Sequence, residues 1–293
     1  NHRLAVSRAA VTVSAIIKLM RPRHWVKNLF VFAPLVFAGL VQSSHAAAAA
    51  AIAFGFFCLA SSAVYVLNDL ADLEGDRHHE RKSVRRPLAS GRVQPRTARI
   101  LFLVLISGLL TAFAWKWDVA LALLAYVGIN IVYSAWWKKV AIVELFLVAS
   151  GFPLRVYAGT LAIGVPLSQW MFVTVLALAL FLVSVKRLRE FQSPDAASAR
   201  AVLEQYGSDV LKQFVQISAM ASLVFYCMFT LTERPELGLT VPLVLFGFFR
   251  FLLVSERVPH GDSPTEVFLS DWPLLLTVLS WGGLVTLLVG ISP

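Results

Sequence analysis

Long apolar runs recur from residue 29 to 293, too many and too long to share one water-excluded core. A helix of about 20 apolar residues crosses the hydrocarbon layer, where every backbone N–H and C=O must be satisfied within the protein. The runs therefore predict an all-α polytopic membrane protein with about nine transmembrane helices. The expected spans are 25–41, 46–67, 98–117, 119–136, 140–162, 167–185, 214–232, 239–254 and 272–291. The connections are short, so residues 24–293 read as a single transmembrane catalytic domain.

The placement of charge orients these spans. Of the 26 Lys and Arg, Lys116 and Arg234 fall in connections on one side and Arg155 lies deep in a span; the others gather toward the opposite side. That bias predicts a cytoplasmic N-terminus and an external C-terminus. The net charge of +9 is then mostly topology, and no nucleic acid is expected as a partner. Residues 1–23 carry Arg3, Arg8, Lys18, Arg21 and Arg23 around Val11, Val13, Ile16, Ile17 and Leu19, the pattern of an amphipathic segment on the cytoplasmic face. The chain begins without Met or a signal-peptide cleavage pattern, so residues ahead of Asn1 are expected to have been trimmed. Cys58 and Cys227 lie within apolar runs and form no metal spacing.

The chemistry concentrates beneath the second span, in Asn68-Asp69-Leu70-Ala71-Asp72-Leu73-Glu74-Gly75-Asp76-Arg77. Asp69, Asp72 and Asp76 stand at i, i+3 and i+7, which on a helix places three carboxylates on one face. Such a row repels itself unless a cation relieves it. Mg²⁺ suits it, because it takes one or two carboxylates and leaves positions for water and phosphate oxygens. Asn68, Asp69, Asp72 and Asp76 are the candidate metal ligands, and the three aspartates the candidate catalytic residues. Arg77, Lys82 and Arg85 follow as cations for phosphate charge. Solvated loop charge is the plainer alternative. His78 and His79 lack any paired zinc spacing.

Other polar residues sit where spans meet the membrane surface. Arg21, Lys27 and Asn28 open the first span, Tyr133 and Lys138 close the fourth, and Lys186, Arg187 and Glu190 close the sixth. Each admits an interfacial-anchor reading beside a substrate-binding one. Glu144 and Arg155 lie within the fifth span, 11 residues and roughly 16 Å of helical rise apart, so each needs its own partner. Gly151-Phe152-Pro153 between them predicts a break or kink. Ala46–Ala51 suits close helix packing, while Gly55 and Gly282-Gly283 suit either internal or subunit packing and leave a homo-oligomer open.

Asn68-Asp69-x-x-Asp72-x-x-x-Asp76-Arg77, ending in Arg86-Pro87-Leu88-Ala89-Ser90-Gly91, resembles the first aspartate-rich motif of the UbiA superfamily of intramembrane prenyltransferases. The resemblance implies a UbiA-like bundle around a central cavity, with aspartates capping its cytoplasmic mouth. It also implies Mg²⁺ on a diphosphate and a lateral opening for a polyprenyl chain. The superfamily's usual DxxxD after the sixth span is replaced by Lys186-Arg187-x-x-Glu190. That change, with Arg21-Pro22-x-x-Trp25-Val26-Lys27-Asn28, Tyr133-Ser134-x-x-x-Lys138 and Val148-Ala149-Ser150-Gly151-Phe152 followed by Arg155, resembles the decaprenyl-phosphate phosphoribosyltransferase branch. Glu144 stands where that branch is expected to carry Asp. The implied partners are phosphoribosyl diphosphate, a polyprenyl phosphate and membrane lipid, in a bacterial inner membrane, for a cell-envelope polysaccharide precursor. A prenyltransferase moving an isoprenyl chain from its diphosphate to an aromatic or other acceptor is the alternative. A transporter or lipid-binding protein without catalysis is a further one, disfavoured because no repeated halves with paired broken helices are visible.

Overall fold

The computed structural model describes residues 13–78, 80–193, 201–257, 267–268 and 270–291, and these are helical with turns between. Most of the basic N-terminal segment and all of residues 194–200 lie outside the described residues, as does the side chain of Lys82. Among the described residues, eight helices are long and apolar enough to cross a membrane. In chain order they are α1 (Ser44–Ala71), α2 (Pro95–Trp115), α3 (Trp117–Ala135), α4 (Val143–Ile163), α5 (Gln169–Gln192), α6 (Ser208–Thr232), α7 (Pro235–Arg257) and α8 (Trp272–Ile291). The chain is a multi-pass membrane protein.

Local chemistry sets the helix boundaries. The Ser43 hydroxyl accepts from the Ala46 N–H at 3.3 Å and that of Ser168 from the Met171 N–H at 3.0 Å, capping α1 and α5. Pro95 opens α2 at a position whose N–H has no helical partner. Gly164, with φ of 75°, closes α4 in a left-handed conformation.

The first expected span takes a different form. Residues Pro22–Phe32 form a 3₁₀ helix and Ala33–Phe37 a short α-helix. At about 2 Å per residue in the 3₁₀ part and about 1.5 Å in the α-helical part, the chain covers roughly 22 Å from Trp25 to Phe37, most of the hydrocarbon thickness in few residues. This lead-in segment lies against α4 and α1. Gly159 on α4 makes the approach possible, because a Cβ there would stand 2.2 Å from the Val31 carbonyl oxygen.

α1 and α4 are the most enclosed spans. One apolar cluster joins Phe57, Leu123, Tyr126 and Ala158 from α1, α3 and α4; a second joins Phe152, Val175, Phe229 and Val285 from α4, α5, α6 and α8. Ala46, Ala49, Ala50 and Ala53 are all buried, as the alanine run of α1 suggested. Of the break or kink expected at Gly151-Phe152-Pro153, the break does not occur: α4 runs unbroken from Val143 to Ile163. Packing on several sides holds the helix through the missing N–H of Pro153, as enclosed membrane helices allow.

Candidate functional site

The polar groups converge at one end of the bundle, where α1, α3 and α5 finish and α4 begins. α1 stops at Ala71 and a short helix, Leu73–His78, follows after Asp72. The helical pattern nevertheless continues, with the Asp72 N–H on the Asn68 carbonyl and the Asp76 N–H on the Asp72 carbonyl, both at 2.9 Å. The three aspartates therefore keep their helical offsets.

Their partners are cations. Arg21 Nη2 donates to Asp69 Oδ1 at 2.6 Å. Arg86 lies between Asp69, at 3.2 Å, and Asp76, with which it also forms a close ion pair. Lys138 Nζ meets Asp72 Oδ1 at 3.0 Å. Among the described residues, no three His, Cys, Asp or Glu side chains converge as a metal cage. The arginines and Lys138 relieve the repulsion that the spacing builds in. One feature of the cluster still fits a metal: Asp69 Oδ2 is buried and has no hydrogen-bond partner among the described residues. A hard carboxylate oxygen left bare beside further carboxylates is a donor that Mg²⁺ accepts.

Arg21 reaches Asp69 through an unusual backbone. It adopts a left-handed conformation, φ 54° and ψ 57°, immediately before Pro22, where both the residue type and the following proline disfavour it. The turn lays its guanidinium 4.8 Å over the Tyr65 ring. Beside it, His24 packs on Tyr65 at 5.2 Å. Burial, together with the neighbouring charges of Lys27, Arg21 and Lys186, pulls the His24 imidazole down to about 4.

A second group lies deeper. Arg155, buried on α4, donates from Nε to Asn28 Oδ1 at 2.8 Å, from Nη2 to the Tyr126 hydroxyl at 3.1 Å and from Nη1 to the Gly151 carbonyl at 2.5 Å. Its guanidinium lies 4.7 Å from the Tyr126 ring centre. Gly151 leaves room for this, since a Cβ would crowd both Arg155 and Tyr126. Asn28, fully buried, donates onward to Ser61 Oγ at 3.2 Å. All acceptors of Arg155 are neutral, and Lys27 adds a second cation nearby.

The third group joins α4 to α5. Arg187 is gripped by Glu144 through two bonds of 2.6 Å and by Glu190 through a third of 2.6 Å. Tyr133 lies near enough to act on the same guanidinium electrostatically. Lys186, more exposed, lies 3.7 Å from Glu190. Glu144 and Arg155 thus have separate partners, as their spacing required. Arg77 and Arg85 are exposed on the short helices after α1. Arg86 escaped selection as a site residue, although it immediately precedes Pro87 in the motif; Tyr65 and Tyr126 carried no signal beyond being aromatic.

Fold and charge layout together define a polytopic helical membrane protein in which, among the described residues, the ion pairs gather toward one end. The chain belongs to the UbiA prenyltransferase family, whose model matches residues 28–272. It is 32% identical to a decaprenyl-phosphate phosphoribosyltransferase of Mycolicibacterium smegmatis, over 93% of this chain and 92% of that protein. It is 33% identical to a protein of the same name from Corynebacterium glutamicum, over 95% and 87%. Among solved structures it resembles a UbiA homolog from Archaeoglobus fulgidus bound to GPP and Mg²⁺, with a TM-score of 0.71 and 19% identity, covering 94% of this chain and all of that one.

Proposed function

We propose that this protein transfers the 5-phosphoribosyl group of phosphoribosyl diphosphate to a polyprenyl phosphate, at the cytoplasmic face of a bacterial inner membrane, for a cell-envelope polysaccharide precursor. One observation carries the reading beyond the family: the end of α5 offers Lys186 and Arg187, with Arg187 fixed between Glu144 and Glu190, instead of a second acidic metal site. A donor bearing a separate 5-phosphate calls for cations at that position. The likeness to phosphoribosyltransferases across nearly the whole chain supports the same reading.

In this reading Asp69, Asp72 and Asp76, with Asn68, hold Mg²⁺, and Asp69 Oδ2 is an oxygen free to receive it. Mg²⁺ held there would supply positive charge against the diphosphate leaving group. Arg21, Arg86 and Lys138 now rest on the carboxylates and are placed to turn toward diphosphate oxygens. Arg77 and Arg85, exposed on the short helices after α1, add cationic charge at the rim. Lys186 approaches the 5-phosphate, and Tyr133 and Arg187 shape its surroundings. Arg155, whose acceptors among the described residues are neutral, and Lys27 nearby attract the phosphate of the lipid, with Asn28 fixing the Arg155 fork.

The ribose C1–O bond to diphosphate breaks, one oxygen of the polyprenyl phosphate bonds to C1, and diphosphate departs with the electron pair. The attacking oxygen is already anionic, so no strong general base is needed. Alignment and charge stabilisation do most of the catalysis.

The test incubates the purified full chain with Mg²⁺, polyprenyl phosphate and phosphoribosyl diphosphate labelled in the ribose. Label passing into the lipid fraction is expected. An unlabelled lipid, with transfer instead from a polyprenyl diphosphate to an aromatic acid, overturns the reading in favour of ordinary prenylation.

A further inference from the structure

We propose that Tyr206 and Gln205 are positioning residues: they clasp a strained turn at the start of α4 and so fix the Glu144–Arg187 unit against which the donor's cationic pocket is built. The inference rests on the donor reading given above, and it concerns residues outside the motifs named earlier.

The turn is Ala141-Ile142-Val143. Ile142 has φ 66° and ψ −51°, and the Val143 N–H donates to the Ala141 carbonyl at 2.8 Å. These are the features of a γ-turn with positive φ, the rare and strained form. A β-branched residue is poorly suited to it, so surrounding contacts must hold the conformation. Those contacts come from the connection between α5 and α6. The Ile142 N–H donates to the Tyr206 hydroxyl at 2.7 Å. The Gln205 amide spans the same corner, its Oε1 accepting from the Ala141 N–H at 3.3 Å and its Nε2 donating to the Lys139 carbonyl at 2.8 Å.

The clasp is itself anchored. Val202, Leu203 and Tyr206 are buried with Leu145 of α4 and Val183 of α5, and the Tyr206 ring meets Phe214 edge-on at 6.3 Å. Burial holds the Tyr206 hydroxyl above its ordinary value, so it remains a neutral acceptor and donor.

The consequence is geometric. The turn delivers the chain into the first turn of α4, where Glu144 sits fully buried. Its two oxygens meet Arg187 Nε and Nη2 in a fork that tolerates little rotation. Arg187 in turn holds Glu190, the partner of Lys186. A change in how the γ-turn enters α4 therefore reaches the cation nearest the donor without touching it.

The test uses Tyr206→Phe, which keeps the ring and deletes the acceptor, and the double variant Tyr206→Phe with Ile142→Gly, since glycine adopts positive φ without strain. Hydrogen–deuterium exchange of peptides covering residues 139–146 reads the clasp; KM for phosphoribosyl diphosphate and for polyprenyl phosphate reads its consequence. Tyr206→Phe is expected to speed exchange at 139–146 and to raise the donor KM about five- to tenfold, the size of one lost hydrogen bond, with the lipid KM within about twofold. The double variant is expected to bring the donor KM back to within about threefold of the parent. Unchanged exchange, an equal rise in both KM values, a lowered melting temperature with unchanged kinetics, or a donor KM that Ile142→Gly does not restore each overturns the inference. If the parent protein shows no phosphoribosyl transfer at all, the donor reading falls, and exchange alone then decides whether the clasp exists.

Discussion

Glu144 and Arg187, 43 residues apart, meet through two parallel bonds of 2.6 Å with both side chains at most 2% exposed. A fork of this kind inside a membrane bundle is stable only while both charges remain. Removing Glu144 strips Arg187 of two of its three bonds and leaves its buried charge on Glu190 alone, a loss approaching the about 3–5 kcal/mol of a broken buried pair. Glu144→Ala is therefore expected to lower the melting temperature of the detergent-solubilised protein strongly. The pair Glu144→Met with Arg187→Met should recover most of that loss while leaving transfer activity poor. A double variant as unstable as Glu144→Ala would show that the fork is not the source of the effect.

Arg86 sets a different balance, because it lies on Asp69 and Asp76, the carboxylates proposed to take the metal. Removing its charge should make the carboxylates better metal ligands and poorer diphosphate hosts. For Arg86→Ala the Mg²⁺ concentration for half-maximal activity is expected to fall about three- to tenfold, a range discounted for partial solvent exposure. The donor KM is expected to rise. Mg²⁺ titration at saturating donor checks the first, and a rise in the Mg²⁺ requirement would place Arg86 on the phosphate alone.

Much of this architecture is legible in the sequence because hydrocarbon imposes one rule on every span. The eight membrane-length helices coincide with apolar runs, and the aspartates keep their helical offsets across Asp72. The lead-in segment is misjudged as a regular span because its form depends on a distant residue: only the bare Cα of Gly159 lets Val31 approach. The break admitted at Pro153 is absent because the rule that proline breaks a helix applies to a helix standing alone, and α4 is packed on several sides. Partner choice is the least legible layer. Spacing shows that Glu144 and Arg155 need separate partners, yet nothing local says that one finds Arg187 and the other Asn28 and Tyr126.

The glycines offer a direct check on the lead-in packing. Gly159→Ala forces a methyl into a space 2.2 Å from the Val31 carbonyl oxygen, and backbone cannot swing aside as a side chain does. Overpacking of this kind costs about 1–3 kcal/mol or more. Gly282→Ala on α8 meets nothing within 4 Å and gains helix propensity, so it should be neutral or stabilising by up to about 1 kcal/mol. Thermal unfolding of both variants in one detergent checks the contrast, and equal melting temperatures would mean that the lead-in does not lie against α4 as described.

His24 supplies the pH dependence. Its folded value is about 4 against 6.5 for the free imidazole, held down by burial first and then by Lys27, Arg21 and Lys186. The unfolded chain therefore takes up a proton as pH falls through 6.5 while the folded chain refuses it until near 4. Stability linked to this residue is complete above about 6.5, falls as pH drops toward 4, and changes no further below that. His24→Gln, which keeps polarity and roughly the size but cannot titrate, is expected to flatten the fall in melting temperature between pH 6.5 and 4.5, leaving values above pH 7 nearly unchanged. Parent and variant curves that run parallel through this window would assign the acid sensitivity to other groups and return His24 to an ordinary exposed imidazole.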